Sequence, residues 1–256
     1  MVVPLALKPI TLIFLLKIYA QTRTLPSSQE ELYHERCLLL CTEINPNRRS
    51  SRQTGSLAPE ARLIIAARIA AIMIFTNTSA IWTAPDQTER SESDVSIRDL
   101  YGDEETAKAI RFPVTLTAIE EVLNTGLFSS RGSSRLGWAH KTYAEYLAAW
   151  YLVEHQISLI QLMSLIIHSD DPEEKIVPQL HETTAWLAGM QPHIFQEILK
   201  RDPDVLLSSD IATADEKRRT DFVTRLFYLG DEETMHALAR HSLREYAQLA
   251  HSGLVG

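Results

Sequence analysis

Apolar side chains return every three or four residues along most of this chain, and one stretch departs from that rule. A pattern of this kind commits a sequence to helices that bury one stripe each against other helices. "TLIFLLKIYAQ" opens behind Pro9, which suits a first helical turn because the missing N–H would have no partner there. "SSQEELYHERCLLLCTEI" begins with Ser28 and, three residues on, Glu31, a capping box. Its apolar positions Tyr33, Cys37, Leu40, Cys41 and Ile44 share a face. Pro59 starts "PEARLIIAARIAAIMIF", which reads as a buried core helix, and "TLTAIEEVLNTG" ends at Gly126, a left-handed helix stop.

The period changes next. "LFSSR" and "LGWAH" are short strand candidates joined through "GSS", the pattern of a β-hairpin with a glycine-dependent turn. "KTYAEYLAAWYLVEH" then returns to an amphipathic helix with Tyr143, Tyr146, Leu147, Trp150 and Tyr151 along one stripe. Helix, helix, hairpin, helix is the order of a winged-helix module. Beyond Gln156 only helices follow, "ISLIQLMSLIIH", "VPQLHETTAWLAGM", "HIFQEILKRD", "KRRTDFVTRLFYL" and "SLREYAQLA", separated by short Asp/Pro breaks. The expected fold is therefore mostly α: a helical segment over 1–45, a winged-helix domain with one β-hairpin over 46–155, and α-solenoid-like, HEAT-like helical repeats over 156–256. The pattern breaks off at "AHSGLVG", as though cut short. The polar segments "NPNRRSSRQTGS" and "TAPDQTERSESDVS" read as loops or boundaries.

Bulk properties narrow the function. The 256 residues are 45% hydrophobic with a net charge of −8, enough apolar material for a sizeable core and too acidic for a broad phosphate-facing surface. Cys37 and Cys41 are the only cysteines, so no disulfide framework exists and a cytoplasmic, reducing setting is expected. The N-terminal "MVVPLALKPITLIFLLKIYA" imitates a signal peptide, but Pro4 and Pro9 interrupt it and no clean cleavage pattern follows. No membrane segment is expected.

Gly132 and Gly137 have the spacing of a phosphate-binding loop, yet Trp138 and Ala139 stand where a lysine and a hydroxyl residue are required. No acidic strand end offers a Mg²⁺ site, so the chain is not expected to be an enzyme by itself. His34, Cys37 and Cys41 share a helix face without a fourth metal ligand, and are read as core packing. "HETTA" lacks the second histidine of a zinc-protease helix. The "EE" and "DEE" pairs read as solvated faces. His140 differs: it ends the second hairpin strand directly before a helix, where an anion would be welcome.

The run Trp138-Ala139-His140, Tyr143, Glu145-Tyr146-Leu147-Ala148-Ala149 and Tyr151-Leu152 resembles the end of the winged-helix segment of NACHT-type signalling NTPases. This STAND class includes NOD-like receptors and bacterial antiviral NTPases. Upstream, the apolar helix behind Pro9 and the "LPSSQEELY" link resemble the helical segment that follows their nucleotide-binding core. The resemblance spans about residues 4–155 and extends loosely to the helical remainder. It implies that Pro9 packs on the adenine, Pro4 being a poorer match, and that His140 contacts the β-phosphate of ADP in a closed resting form. The family's phosphate loop and metal-binding strand do not occur here. The expectation is a regulatory and sensor portion acting in antiviral or stress signalling, with ADP or ATP and Mg²⁺ present only alongside an upstream core. A protein ligand on the helical region and oligomerisation are the partners implied. A winged-helix nucleic-acid regulator is one alternative, using Arg131, Arg135 and Lys141 with Arg48, Arg49 and Arg52, although Glu120 and Glu121 on the preceding helix oppose nucleic acid. A helical interaction scaffold without nucleotide is another.

Overall fold

A computed structural model describes residues 9–23, 25–42, 57–208 and 216–228. The chain is mostly helical, with a small mixed four-stranded sheet and a separate hairpin. It divides into two compact units: residues 33–155 form one, and residues up to 32 together with those from 156 onward form the other.

In the unit 33–155, two helices supply most of the core. α3 (Pro59–Phe75) opens with proline at its first position and buries Ile64, Ile65, Ala66, Ala67, Ile69 and Ala70. α5 (Lys141–Glu154) lies against it and buries Tyr146, Leu147, Ala148 and Ala149. The alanines let the two backbones approach, and the large chains fill the space beside them. α5 is buried on most sides, Glu145 included, rather than along a single stripe as its spacing suggests. α4 (Leu116–Leu123) is capped by Thr115, whose hydroxyl accepts the Ala118 N–H at 3.1 Å, and packs on α3.

The expectation of one hairpin is corrected here. β5 (Phe128–Ser130) and β6 (Arg135–Trp138) do pair antiparallel, and Gly132 in their turn has φ +116°. β1 (Ala80–Trp82) pairs antiparallel with β6 and parallel with β2 (Asp94–Ser96), giving the order β2-β1-β6-β5. A further hairpin joins β3 (Glu104–Ala107) to β4 (Ile110–Pro113). These strands are three or four residues long, too short for an alternation signal, and β2 sits inside the polar segment read as a loop. Gly126 is a second correction. Its φ is not positive; α4 ends at Leu123 with Asn124 as its C-cap, and the Gly126 N–H instead donates to Leu40 O at 3.2 Å.

The other unit is helical. α1 (Pro9–Thr22) starts at the expected proline and buries Phe14, Leu15 and Ile18. α2 (Gln29–Thr42) begins in this unit and ends in the other. Ser28 Oγ accepts the Glu31 N–H as foreseen, but the Glu31 carboxylate reaches one residue further back, to the Ser27 N–H and hydroxyl. α6 (Leu159–Ile166) carries a complete capping box between Ser158 and Gln161. α7 (His181–Met190), α8 (Pro192–Arg201) and the 3₁₀ segment Pro203–Ser208 pack together around Leu187, Ile194, Ile198 and Leu206, with α9 (Glu216–Tyr228) beside them. No repeated helix pair is evident among the described residues. The expected helix at "SLREYAQLA" and the basic loop with Arg48, Arg49 and Arg52 lie outside the described residues.

Candidate functional site

β6 delivers the chain to His140. The Ala139 N–H donates to Leu127 O at 2.8 Å, which holds the strand end down, and His140 follows as the N-cap of α5 with extended backbone, φ −138° and ψ 136°. Its carbonyl accepts the Tyr143 N–H at 3.1 Å. Its ring makes no capping bond and is exposed, standing edge-on to Tyr143 with 5.3 Å between centroids. The imidazole thus sits beside the positive end of a 14-residue helix, facing outward.

The surroundings fix that position. Trp138 stacks on Phe128 at 4.4 Å, its Nε1 buried without an acceptor among the described residues. Arg131 lays its side chain across Gly137 and donates to Trp138 O at 2.6 Å. A Cβ at position 137 would stand 2.9 Å from the Arg131 stem, so this glycine serves a close approach in the strand. Arg135 donates twice to Asp94 at 2.7 Å, and Lys141 pairs with buried Glu145 at 3.0 Å. Of the six cations of the nucleic-acid alternative, Arg131, Arg135 and Lys141 therefore each have a partner within the chain, and Arg48, Arg49 and Arg52 lie outside the described residues.

Pro9 is the first residue of α1, but its side chain lies outside the described residues. It belongs to one unit and His140 to the other. The possible metal face resolves differently. His34 Nδ1 meets the Tyr146 hydroxyl at 3.3 Å and its ring edge meets Trp150. Burial pushes the Cys37 thiol well up and that of Cys41 to about 12, so both stay protonated core groups. Among the described residues no three His, Cys, Asp or Glu side chains are grouped to hold a metal ion. No described helix is long and apolar enough to cross a membrane.

Sequence reasoning missed a cluster of polar groups. Glu105, from the "DEE" run read as solvated, is buried at 2% exposure. Its Oε1 accepts from Tyr151 at 2.8 Å and Arg68 at 3.2 Å, and its Oε2 lies 3.0 Å from His155 Nε2. Glu121, from an "EE" pair, accepts from Arg62 Nε at 2.7 Å and from the Leu57 N–H at 3.0 Å. Helical spacing carries no sign of either; alternation along β3 turns Glu105 inward while Glu104 and Thr106 stay exposed.

The sequence matches no protein-family model and no curated protein.

Proposed function

We propose that this chain is the regulatory and sensor portion of a NACHT-type STAND signalling NTPase, acting in cytoplasmic antiviral or stress signalling and not catalytic by itself. The observation that carries the reading is His140: an exposed imidazole, free of a capping bond, two residues past β6 and at the start of a long helix. The arrangement α3–β1–α4–β5–β6–α5 with β1, β6 and β5 adjacent supports a winged-helix reading, with β2 and the β3–β4 hairpin inserted between β1 and α4.

These residues fit one edge of a bound nucleotide and not its whole outline, because no loop in the sequence cradles phosphates. An upstream core would hold ADP or ATP with Mg²⁺ and supply the hydrolytic chemistry. His140 and the α5 N-terminus would meet the β-phosphate, Pro9 would lie on the adenine, and the closed form would be retained. A protein ligand on the solenoid-like helical region beyond residue 156 would bind the open form better, and opening would permit oligomerisation. The pairing of Arg131, Arg135 and Lys141 inside the chain favours this reading over a nucleic-acid regulator.

The test is to express the chain together with the segment encoded directly before Met1 and to measure ADP release for wild type and His140→Ala. Faster release in the variant is the expected result. Unchanged release, or ATP hydrolysis at an enzyme-like rate by the 256-residue chain alone, overturns the proposal.

A further inference from the structure

The β3–β4 hairpin pairs with no other strand, so its seating depends on side chains. Two-stranded hairpins are marginal in isolation. This one rests on α3, and its inward anchor is Glu105, whose carboxylate has a side-chain exposure of 1%. From α3, Arg68 donates to Oε1, while its other amino group reaches exposed Asp103 at 3.5 Å. From α5, the Tyr151 hydroxyl donates to the same oxygen. Burial, and then the Glu105 carboxylate, push Tyr151 far up, so it remains a donor throughout the neutral range.

The second carboxylate oxygen faces His155. The two ring nitrogens of that residue each meet an acceptor: Nδ1 lies 2.9 Å from Tyr151 O, and Nε2 lies 3.0 Å from Glu105 Oε2. A carbonyl oxygen only accepts, so Nδ1 carries a proton. Arg68 and Tyr151 donate to Oε1 only, so one proton must lie between Oε2 and Nε2, and with the Arg68 cation on the same carboxylate it is assigned to Nε2. The contact needs one proton more than a neutral imidazole facing a carboxylate provides. Without it, a nitrogen lone pair would oppose a carboxylate oxygen. His155 meets Glu105 on β3 and Tyr151 on α5; Arg68 on α3, with exposed Asp103 beyond it, reaches the same Glu105 carboxylate, and Glu154, the chain neighbour of His155, is exposed. The side chain is 34% exposed, which gives the proton a route to solvent.

We propose that the His155–Glu105 contact is a one-proton clamp that seats the β3–β4 hairpin on the α3–α5 pair, and that losing this proton loosens the hairpin while the helices stay folded. Arg68 and Tyr151 keep hold of Oε1 after deprotonation, so the hairpin opens more often without detaching.

Amide hydrogen exchange of residues 104–113 in the full chain, corrected for intrinsic rates and followed across about pH 5 to 8, tests the clamp, with α3 amides as an internal reference. In wild type the opening constant of the hairpin should rise with pH by up to about tenfold per unit, the limit for one linked proton. In His155→Gln, which keeps a donor but does not titrate, it should be flat. Glu105→Gln should be equally flat and more open at low pH. Ring ¹⁵N shifts of His155 should show two protons at the low end of that range. A flat wild-type profile, an equal rise in His155→Gln, or a singly protonated ring throughout overturns the proposal.

Discussion

Arg62 Nε donates to Glu121 Oε1 at 2.7 Å, joining α3 to α4 with both side chains nearly out of water. The same guanidinium donates to Cys41 O at 2.8 Å, and Glu121 also accepts the Leu57 N–H. Removing one partner strands the other charge in a dry place, which costs far more than removing both. Glu121→Leu should therefore lose about 3 kcal/mol of unfolding free energy, read from urea denaturation. Arg62→Met combined with Glu121→Leu should recover a large part of that loss. Equal losses in the single and double variants would contradict the assignment.

The β3–β4 turn stores strain. Lys108 and Ala109 have φ of +48° and +65°, the pattern of a type I′ turn, which favours Asn-Gly. Lys108 cannot be traded freely, since its ammonium pairs with Glu60 at the start of α3. Ala109 has no such role. Ala109→Gly should raise stability by about 0.5–1 kcal/mol, because glycine adopts this conformation without a Cβ penalty. The check is the urea midpoint at unchanged slope.

His34 gives the α2–α5 contact within its unit a pH dependence. Burial lowers its affinity for a proton below the ordinary imidazole value, with the Glu154 carboxylate partly opposing. The unfolded chain then binds the proton more readily than the folded one. Stability is complete above the ordinary imidazole range and falls as pH drops through it toward the depressed folded value. His34→Gln keeps a partner for the Tyr146 hydroxyl and does not titrate. The stability difference between wild type and His34→Gln should shift against wild type as pH is lowered from 8 to 5, values of about the imidazole range. A constant difference would exclude His34 as the source.

Asp202 acts in the opposite sense. Burial raises its carboxyl above the usual range, against the Ile176 N–H it accepts at 3.3 Å and His181 Nε2 at 3.9 Å. A raised carboxyl contributes stability below its unfolded value and loses it as pH rises through the folded value. Asp202→Asn should thus be more stable than wild type at neutral pH, with the advantage vanishing in acid, where Asp202 is protonated. Melting temperatures of both proteins across that range decide it.

The sequence alone determined where most helices start. Pro9, Pro59 and Thr115 act within one turn of the chain, so α1, α3 and α4 begin where their residues say. The β5–β6 hairpin was legible for the same reason, since Gly132 answers a local need for positive φ. His140 was legible as the residue directly before a helix, although β6 ends at Trp138 and not at His140 as expected, and its exposure depends on what packs around it.

Only the tertiary structure decided the remainder. Asp94 is sealed by Arg135 from a strand two places away in the sheet, and Glu105 is turned inward by β3 and met by residues of α3 and α5. Gly126 is no helix stop: α4 already has its C-cap at Asn124, and the glycine's N–H serves Leu40, which is distant in the sequence. Backbone preferences and caps act over about four residues and are written in the local sequence. Which polar side chain is buried depends on groups brought from far along the chain, and charge alone does not reveal a partner that folding supplies.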